Sequence, residues 1–379
     1  MLYRRFGKGN FEVSSLGFGC MRLPFCNGDD AQINETEAIS MIRYAIDQGV
    51  NYVDTAYPYH KGNSEVLVGK ALKDGYREKV HLATKLPVWL CNSYADFEKY
   101  LEEQLTKLQT ESIDCYLLHA LNKVTWQKSK ELGVLRFLDS ALAQGKIKHV
   151  GFSFHDDVEL FKEIVYAYPW TFCQIQYNYM DERYQAGTEG LKYAAAKGLA
   201  VIVMEPLKGG RLAKKPPTEV QGLWSQAEVS RTPADWALRW VWNQPEVSLV
   251  LSGMSTMENV VENINTASEA APLSLQPIEV ELIDLVKTKY KELVKVGCTA
   301  CGYCMPCPAG VDIPRNFATY NEAFMYNNVG ASALAYNRFM DEKVRASACV
   351  ECGQCEEACP QQIGIREQLK DVHRTLHQA

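Results

Sequence analysis

Residues 80–119 read VHLATKLPVWLCNSYADFEKYLEEQLTKLQTESIDCYLLH, and this stretch holds one complete strand–helix–strand unit. Its two ends, Val80–Leu86 and Ile113–His119, are short apolar runs of the kind that form buried parallel strands. The segment between them, Tyr94–Leu108, is amphipathic and long enough for a helix. This unit predicts two parallel strands with a helix packed across one face of the sheet.

The same alternation of apolar runs and amphipathic segments continues from residue 16 to about residue 270. Further amphipathic segments are Glu35–Gln48, Gly133–Gln144 and Thr256–Glu269. Eight such units of about thirty residues each predict an α/β fold of the (β/α)8 TIM-barrel type. The alternative, a doubly wound open sheet, is less favoured because eight units close more naturally into a barrel. Leu2–Val13 predicts a hairpin that precedes the barrel. The strand candidates are Leu16–Met21, Asn51–Ala56, Val80–Leu86, Ile113–His119, His149–Phe154, Phe172–Asn178, Ala200–Pro206 and Val247–Gly253.

The composition is ordinary for a globular protein. The 379-residue chain is 47% hydrophobic and 23% charged, which suits one large domain plus a small one. Its formal net charge of −6, without a run of lysine or arginine, argues against a nucleic-acid partner. No apolar run approaches the length of a membrane span, and residues 1–10 lack the apolar core of a signal peptide. Together with the scattered free cysteines, these features predict a cytoplasmic protein without a membrane partner.

Eight of the thirteen cysteines lie in the last fifth of the chain, in two similar patterns. The first is CTACGYCMPCP at residues 298–308, and the second is CVECGQCEEACP at residues 349–360. Thiolate ligands select iron–sulfur clusters, zinc or copper(I). A zinc site usually takes two cysteines from each loop, whereas four stand in each loop here. The spacing therefore favours iron–sulfur clusters over two zinc sites or a disulfide knot.

The same spacing is that of the bacterial ferredoxins, in which the fourth cysteine ligates the other cluster. This resemblance implies one [4Fe–4S] cluster on Cys298, Cys301, Cys304 and Cys359, and a second on Cys349, Cys352, Cys355 and Cys307. The first pattern departs from the ferredoxins, because two residues rather than three precede its last cysteine. We expect this shorter spacing to distort one ligand loop or to make one cluster labile.

These patterns predict two domains and a connection between them. Residues 1–275 are expected to form the barrel, and residues 276–297 a connecting helix. Residues 298–379 are expected to form a small, mostly α, ferredoxin-like two-cluster domain with a helical insert. The helices predicted in these parts are Pro277–Val296, Pro314–Asn327, Ser332–Val344 and Arg366–His377.

Four titratable residues, Asp54, Tyr59, Lys85 and His119, stand where strand candidates end, and barrel enzymes place their chemistry there. A hydride that reaches a carbonyl carbon leaves charge on the oxygen, which must be stabilised and protonated. A tyrosine, with its pKa of about 10, can serve if a nearby ammonium such as Lys85 lowers that pKa. Asp54 can orient Lys85, and His119 can donate a hydrogen bond to the carbonyl oxygen or support proton transfer. Each residue alone also has a structural explanation, as a helix cap, a solvated lysine or a packed histidine.

These residues stand in motifs that resemble those of the aldo-keto reductases over about residues 1–270. The motifs are NYVDTAYPY at residues 51–59, HLATK at residues 81–85 and DCYLLH at residues 114–119. The resemblance implies that Tyr59 is the general acid/base, with Lys85, Asp54 and His119 in support. The spacing from Asp54 favours Tyr59 over its neighbour Tyr57. The tail with its cysteines narrows the resemblance to the members that carry a C-terminal 4Fe–4S domain.

The resemblance also implies a nicotinamide dinucleotide, NADPH or NADH, bound at the later strand ends without a GxGxxG turn. Its carboxamide is expected to contact Ser153 and Gln174, whereas Phe154 stands where many members have an asparagine. Met204 replaces the tyrosine that stacks on nicotinamide, and its thioether is a weaker but polarizable partner. The loop that follows either approaches the pyrophosphate through backbone amides or is a plain turn. The residues expected to bind in this loop are Pro206, Leu207, Gly209, Gly210 and Arg211.

The last strand candidate leads into a helix whose N-terminus can bind phosphate through its free amides. Many members that prefer NADPH carry Lys and Arg at the positions of Gly253 and Asn259. Without these cations the 2′-phosphate has no charged partner, which favours NADH or the use of both nucleotides. Glu262 and Asn263 match the family's adenine contacts. The residues expected to bind the dinucleotide here are Gly253, Ser255, Thr256, Asn259, Glu262 and Asn263.

The expected function is that of an NAD(P)H-dependent oxidoreductase that interconverts a small carbonyl compound and an alcohol. The alternative is an iron–sulfur electron-transfer or redox-sensing protein whose barrel binds nicotinamide without significant turnover. Nicotinamide transfers two electrons as hydride whereas a cluster takes one, and no flavin-binding motif is evident between them. The clusters are therefore structural, connected to an external electron-transfer protein, or linked to nicotinamide by an unrecognised mediator. The sequence sets neither the substrate, nor the direction of conversion, nor the oligomeric state.

Overall fold

The structure is a computed structural model that describes residues 1–298 and 300–378. Within these residues the predicted hairpin is found as two antiparallel strands, β1 (Tyr3–Arg5) and β2 (Glu12–Ser14). Eight parallel strands then close into a barrel, which confirms the predicted fold and all of the strand candidates. The barrel strands are β3 (Leu16–Gly19), β4 (Tyr52–Asp54), β5 (His81–Leu86), β6 (Ile113–Leu121), β7 (Ile147–Phe154), β8 (Phe172–Gln176), β9 (Ala200–Met204) and β10 (Val247–Ser252).

Helices alternate with the barrel strands and continue beyond the last of them. The four helices predicted in the C-terminal part are present, and they correspond to α11, α12, α13 and α15. Among the described helices, none is long and apolar enough to cross a bilayer. In chain order the helices are α1 (Glu35–Asp47), α2 (Ser64–Ala71), α3 (Tyr94–Leu108), α4 (Lys123–Glu131), α5 (Val134–Ala143), α6 (Val158–Ala167), α7 (Gly187–Ala196), α8 (Thr218–Trp224), α9 (Pro233–Trp242), α10 (Met257–Glu269), α11 (Pro277–Glu292), α12 (Ile313–Met325), α13 (Val329–Phe339), α14 (Gln354–Glu357) and α15 (Ile365–His377).

The inside of the barrel is a packed apolar core that the N-terminal hairpin closes at one end. Phe6 is fully buried, with its ring 6.2 Å from that of Tyr52 and 5.3 Å from that of Phe172. Gly7 follows with a φ of 54°, and a Cβ there would lie 2.4 Å from the main-chain nitrogen of Ala200. Only glycine permits this close approach of hairpin and barrel. Because the hairpin closes the N-terminal end, the strands' carboxyl ends are the end open for chemistry.

The chain divides into two compact units, of which the first consists of residues 1–209 and 234–275. The second unit consists of residues 210–233 and 276–379. Its internal segment contains α8, which packs against α11, and Arg231 in this segment pairs with Glu279 of α11. The second unit has a core of its own that comes mainly from α12, α13 and α15. The core residues include Val311, Ile313, Phe317, Tyr336, Leu369, Val372 and Leu376.

Candidate functional site

Three neighbouring strands bring the predicted catalytic side chains together at the carboxyl end of the barrel. Asp54 is the last residue of β4, Lys85 lies near the end of β5, and His119 lies near the end of β6. Lys85 Nζ donates to Asp54 Oδ1 at 2.6 Å and to the carbonyl oxygen of Thr55 at 2.8 Å. It also lies 3.4 Å from the hydroxyl oxygen of Tyr59. The structure thus joins the predicted acid/base and its supporting cation by a direct hydrogen bond.

Burial and charge act in opposite directions on these groups. Asp54 and Lys85 are 3% and 0% exposed, so each would be costly to bury alone. Burial works to lower the pKa of Lys85, but Asp54 and Tyr59 outweigh it and raise that pKa, so the ammonium is kept. Burial raises the pKa of Tyr59, and the Lys85 charge opposes this rise. The Tyr59 hydroxyl is therefore protonated at neutral pH and faces a fixed cation.

A strained turn directly after Tyr59 holds this tyrosine in place. His60 and Lys61 adopt left-handed backbone angles, with φ of 52° and 54°. His60 Nδ1 lies 2.6 Å from the carbonyl oxygen of Asp30, and its Nε2 accepts a hydrogen bond from the main-chain N–H of Leu23 at 3.2 Å. Non-glycine residues reach such angles when surrounding contacts impose them. His60 therefore ties the Tyr59 turn to the loop after β3, a role that no sequence motif had indicated.

Tyr57, the competing tyrosine, is committed to a different partner. Its hydroxyl donates to Glu103 Oε2 of α3 at 3.0 Å, and Lys107 Nζ lies 3.9 Å from the centre of its ring. Burial and the Glu103 carboxylate raise the pKa of Tyr57 to about 12. Tyr57 hydrogen-bonds to a carboxylate, whereas Tyr59 faces an ammonium, so the two hydroxyls have opposite electrostatic environments.

His119 completes the group on β6. Its ring lies 6.0 Å from that of Tyr59, edge-on, and 5.1 Å from that of Trp89. Its Nδ1 atom is buried and has no hydrogen-bond partner within the described residues. Burial lowers the pKa of His119 well below its usual value, and the charge of Lys85 adds to this effect. His119 is therefore a neutral imidazole at physiological pH, which can donate a hydrogen bond but carries no positive charge.

A buried polar network behind Lys85 holds the end of β5. Gln104 on α3 donates from Nε2 to the main-chain oxygen of Lys85 at 3.0 Å and to Glu65 Oε1 at 2.7 Å. Its Oε1 accepts from the hydroxyl of Tyr116 at 2.8 Å, and the hydroxyl of Thr84 donates to Glu65 Oε1 at 2.7 Å. Each of these side chains is buried, and buried hydrogen-bond networks fix a local geometry. No sequence motif indicated this network, because it joins separate elements of the chain.

The residues predicted to contact the nicotinamide lie on three neighbouring strands, with Ser153 and Met204 at or near the ends of β7 and β9 and Gln174 in the middle of β8. Ser153 Oγ accepts a hydrogen bond of 2.7 Å from the main-chain N–H of Ala120, so it ties β7 to the end of β6. Gln174 donates to the sulfur of Met204 at 3.6 Å, which places these two predicted residues in contact. The Oε1 atom of Gln174 is buried without a partner within the described residues. This free acceptor is available to a ligand amide.

The remaining predicted residues of the loop after β9 are divided between the two compact units. Pro206 is buried, and Leu207 and Gly209 are half-buried in the first compact unit. Gly210 and Arg211 belong to the second unit, where Arg211 pairs with Glu322 at 2.8 Å. A further cation stands in this loop: Lys208 Nζ donates to both carboxylate oxygens of Asp181, at 3.0 and 2.8 Å. Neither Lys208 nor Asp181 was among the expected cofactor residues.

At the N-terminus of α10 the expected phosphate-binding residues are accessible. Gly253, Ser255, Thr256 and Asn259 are exposed, Glu262 is half-buried, and Thr256 caps the helix by accepting from the main-chain N–H of Asn259 at 3.3 Å. Asn263, in contrast, is buried and donates to Ser252 Oγ at 2.8 Å.

A cation also lies at this helix end. Ser255 donates to the main-chain oxygen of Arg22 at 2.9 Å, and a Cβ on Gly253 would lie 3.2 Å from the Cβ of Arg22. The aliphatic stem of Arg22 therefore packs against Gly253, one of the residues expected to bind the dinucleotide. Arg22 is far from α10 in the sequence, so the spacing of the helix motif could not reveal it.

In the second unit the cysteines line two separate cavities. Ile313 contributes to both cavities, so α12 begins between them. The eight cysteines are free thiols in the described part of the chain. Within that part, no group of three or more His, Cys, Asp or Glu side chains is placed to hold a single metal ion; in a cluster each thiolate binds an iron of its own. One cavity is lined by Cys298, Cys301, Cys304 and Cys359, and the other by Cys307, Cys349, Cys352 and Cys355.

Two buried asparagines on α12 anchor the chain ahead of the two cysteine patterns. Asn321 Oδ1 accepts from the main-chain N–H groups of Lys295 and Val296 at 3.0 and 2.8 Å, and its Nδ2 donates to the oxygen of Val296 at 2.8 Å. Asn316 Nδ2 donates to the oxygen of Val344, and its Oδ1 accepts from the N–H of Ala346, both at 2.8 Å. The helical insert thus positions the chain just before Cys298 and just before Cys349.

Replacing Asn321 by Ala is expected to destabilise the second unit by about 2 to 4 kcal/mol, because two main-chain groups of Val296 lose their buried partners. The measurement is the guanidinium midpoint for loss of iron from the holoprotein. Thr319 lies on the same helix but hydrogen-bonds at the surface, so Thr319→Ala should change the stability by less than about 0.5 kcal/mol. Equal effects of the two substitutions would show that Asn321 does not anchor this loop.

Comparison with known proteins identifies the family of this chain. The model of the aldo/keto reductase family matches residues 15–279. The chain belongs to the aldo/keto reductase family. The model of a 4Fe-4S dicluster domain matches residues 297–363. These matches confirm the resemblance and identify the C-terminal part as a ferredoxin-type 4Fe–4S domain, in preference to zinc sites or a disulfide knot.

Individual relatives share the barrel of this aldo/keto reductase. "Probable aldo-keto reductase 1" of Glycine max is 28% identical over 297 residues, which cover 69% of this chain and 82% of that protein. "Uncharacterized oxidoreductase YqkF" of Bacillus subtilis (strain 168) is 25% identical over 297 residues, which cover 71% of this chain and 92% of that protein. The solved structure of aldo-keto reductase AKR11C1 from Bacillus halodurans, in its holo form, superposes with a TM-score of 0.63 at 27% identity. It covers 76% of this chain and 96% of its own.

Proposed function

We propose that this aldo/keto reductase interconverts a small carbonyl compound and an alcohol with NADH or NADPH, and that it carries two [4Fe–4S] clusters. The observation that carries the proposal is the position of Lys85 Nζ, 2.6 Å from Asp54 and 3.4 Å from the Tyr59 hydroxyl. Membership of the family supports an oxidoreductase that acts on small carbonyl or alcohol substrates. The proposal adds the catalytic role of Tyr59, the nucleotide and the number of clusters.

The residues at the barrel mouth fit a bound nicotinamide. Gln174 offers a buried, unpartnered acceptor in the described part of the chain, and the carboxamide of nicotinamide has the matching N–H groups. Gly253 and Thr256 lie at a helix N-terminus, where backbone amides favour phosphate. When bound, the reduced nicotinamide supplies a hydride to the carbonyl carbon.

The chain's own residues then complete the reduction at the carbonyl oxygen. The hydroxyl of Tyr59 gives its proton to that oxygen, so that one hydride and one proton yield the alcohol. Tyr59 is left as a tyrosinate, which the ammonium of Lys85 stabilises. The neutral imidazole of His119 donates a hydrogen bond to the same oxygen and helps to bear its developing charge. In the oxidation direction the tyrosinate takes the proton of the alcohol.

The two cavities in the second unit fit two iron–sulfur clusters. Each cavity is lined by four free thiols, three from one loop and one from the other, which is the donor set of a ferredoxin-type [4Fe–4S] cluster. Such clusters accept and release single electrons when bound. The thiolates of Cys298, Cys301, Cys304 and Cys359 would hold one, and those of Cys307, Cys349, Cys352 and Cys355 the other.

Anaerobic stopped-flow spectroscopy of the iron-loaded protein tests the proposed function. Dinucleotide oxidation is expected only when a carbonyl compound is added, with visible absorbance of the clusters unchanged. A panel of aliphatic and aromatic aldehydes and ketones serves as substrate, and the matching alcohols with NAD+ or NADP+ serve for the reverse reaction. Cluster bleaching by NADH or NADPH alone, without turnover of any carbonyl, would instead support an electron-transfer or redox-sensing protein.

Arg22 provides a prediction about the nucleotide. Arg22→Gln is expected to raise the Michaelis constant for NADPH by roughly 10-fold and that for NADH much less, because a guanidinium pairs with the 2′-phosphate. Steady-state kinetics with both nucleotides measure this difference. Arg136→Gln, on α5, serves as a control of equal charge change. Equal losses with NADH and NADPH would place Arg22 against the pyrophosphate instead.

A further inference from the structure

The two cysteine-lined cavities differ in the charge of their surroundings. The described residues that line the Cys298 cavity carry no charged side chain other than the cysteines themselves. The Cys349 cavity, in contrast, is lined by the guanidinium-bearing Arg366 of α15. Apart from the neutral Gln361 in the Cys298 cavity, the remaining lining residues are apolar or glycine. The difference is therefore one of electrostatics rather than of ligand set.

Arg366 is held beside its cavity by a tight and specific pair. Its Nε and Nη2 atoms donate to Glu356 Oε2 at 3.0 and 2.8 Å, and its main-chain N–H donates to Glu356 Oε1 at 2.8 Å. Glu356 directly follows the ligand Cys355. Gly353, in the same ligand loop, has a φ of 83°, and a Cβ there would lie 3.8 Å from Arg366 Cζ. The loop thus passes directly under the guanidinium group.

The other charged side chains near this loop form ion pairs with one another or are exposed to solvent. Glu351 pairs with Lys370 at 2.9 Å, and Lys370 also pairs with Glu367 at 3.0 Å. Glu357 is exposed to solvent, where water and salt screen its charge. None of these side chains lines either cavity. Among the described residues that line the two cavities, Arg366 is accordingly the charged side chain other than the cysteines.

We infer that Arg366 selectively raises the reduction potential of the cluster held by Cys307, Cys349, Cys352 and Cys355. The inference rests on the proposed two-cluster function. Reduction adds one electron and one negative charge, so a nearby fixed cation favours the reduced state. The other cavity has no such cation in its described lining. The cluster beside Arg366 therefore has a higher reduction potential than it would have without this residue. A one-electron partner would thus encounter two clusters that differ in their electrostatic surroundings.

Charge substitutions with opposite signs test this inference. In an anaerobic redox titration followed by EPR, Arg366→Gln is expected to shift one midpoint to more negative potential. Glu356→Gln, which frees the guanidinium from its counter-ion, should shift the same midpoint to more positive potential. Arg366→Lys should give a smaller negative shift than Arg366→Gln. In Arg366→Gln the main-chain hydrogen bond to Glu356 persists, so the ligand loop keeps this tether. Lys370→Gln, on the same helix but outside the cavity, is the matched control and should leave both midpoints in place.

Single-cluster backgrounds assign the shift to one site. Cys301→Ser should leave the cluster beside Arg366, and Arg366→Gln should shift its midpoint. Cys352→Ser should leave the other cluster, and Arg366→Gln should not move it. A shift in the Cys352→Ser background, shifts of equal sign for Arg366→Gln and Glu356→Gln, or unmoved midpoints would each overturn the inference. If either background loses both clusters, the two-cluster protein provides the test. There, a shift of one midpoint potential in Arg366→Gln supports the inference, and a shift of both contradicts it.

Iron and sulfide analysis separates failure of this inference from failure of the proposed function. Two clusters require about eight irons and eight sulfides per chain. A content of about half that amount would refute the two-cluster proposal itself. Full content with midpoints that do not respond to Arg366→Gln would leave the two-cluster proposal standing and refute the role of Arg366.

Discussion

Tyr59→Phe is expected to lower the turnover of carbonyl reduction by about 100- to 10,000-fold, because the substitution removes the proposed proton donor. The phenyl ring keeps the packing against His119, whose ring lies 6.0 Å away. The ion pair of Lys85 and Asp54, at 2.6 Å, does not depend on the hydroxyl, so the fold should be preserved. Binding of the dinucleotide should change little. Single-turnover kinetics at saturating nucleotide, together with a binding titration, separate these two quantities.

Tyr57→Phe is the matched control for this experiment. Tyr57 lies two residues away and loses the same hydroxyl, but that hydroxyl donates to Glu103 and not to the catalytic group. We expect turnover within a few-fold of the wild type. A large loss of turnover in Tyr57→Phe, with activity retained in Tyr59→Phe, would show that Tyr57 rather than Tyr59 transfers the proton. Losses of turnover of similar size in both variants would indicate that each hydroxyl supports the structure of the site rather than proton transfer.

The barrel was predictable because its signals are local. Strands buried on both faces are continuous apolar runs, as in Ala200–Met204, and each such run stands out from the amphipathic helix beside it. The proximity of the proposed catalytic residues was predictable for a related reason. Asp54, Lys85 and His119 lie at or near the ends of successive strands, and adjacent parallel strands end side by side. Motif spacing along the chain therefore translated directly into proximity.

Contacts between distant segments left no such signal. Gln104 is a polar residue within the amphipathic α3 and would be read as solvent-facing, yet it is fully buried against Glu65 and the main chain of Lys85. Asn316 and Asn321 likewise anchor chain segments that precede the cysteine loops, far from them in sequence. A buried side-chain amide is stable only when partners from other elements satisfy it. Those partners are brought together by the tertiary fold, and a short stretch of sequence does not show them.

The assignment of residues 210–233 shows the same limit at the level of domains. Domain boundaries were expected only after residues 275 and 297, but this internal segment is compact with residues 276–379. The reason is the packing of α8 on α11 and the pair of Arg231 with Glu279. The cysteine loops contrast with this case. The resemblance of their spacing to that of the bacterial ferredoxins implied two crossed groups of four, and the same two groups line the two cavities.

Lys85→Met is expected to lower alcohol oxidation by about 100- to 10,000-fold near neutral pH and to move its pH dependence to higher pH. Oxidation requires the tyrosinate form of Tyr59. Burial raises the pKa of Tyr59, and the charge of Lys85 counteracts this rise. Without Lys85 the pKa of Tyr59 increases further, so a smaller fraction is ionised at every pH below that value. The fold loss in oxidation should therefore be constant at pH values well below the wild-type pKa of Tyr59 and shrink only as pH rises past that pKa. Rates measured from about pH 6 to about pH 11.5, past the reference tyrosine pKa of about 10 because burial raises the pKa of Tyr59, test the direction of the shift.

Carbonyl reduction should respond to the same substitution in a different way. Reduction requires the neutral hydroxyl, which both proteins keep throughout most of this range, so its rate should fall without a shift of its pH profile. The Lys85→Met substitution would leave the carboxylate of Asp54 buried without its cation, at a cost of about 3 to 5 kcal/mol. The double substitution Asp54→Asn with Lys85→Met removes that carboxylate and should recover stability but not turnover. Lys99→Met, at the surface of α3, is the control. An oxidation profile that stays in place in Lys85→Met would show that Lys85 does not set the ionisation of Tyr59.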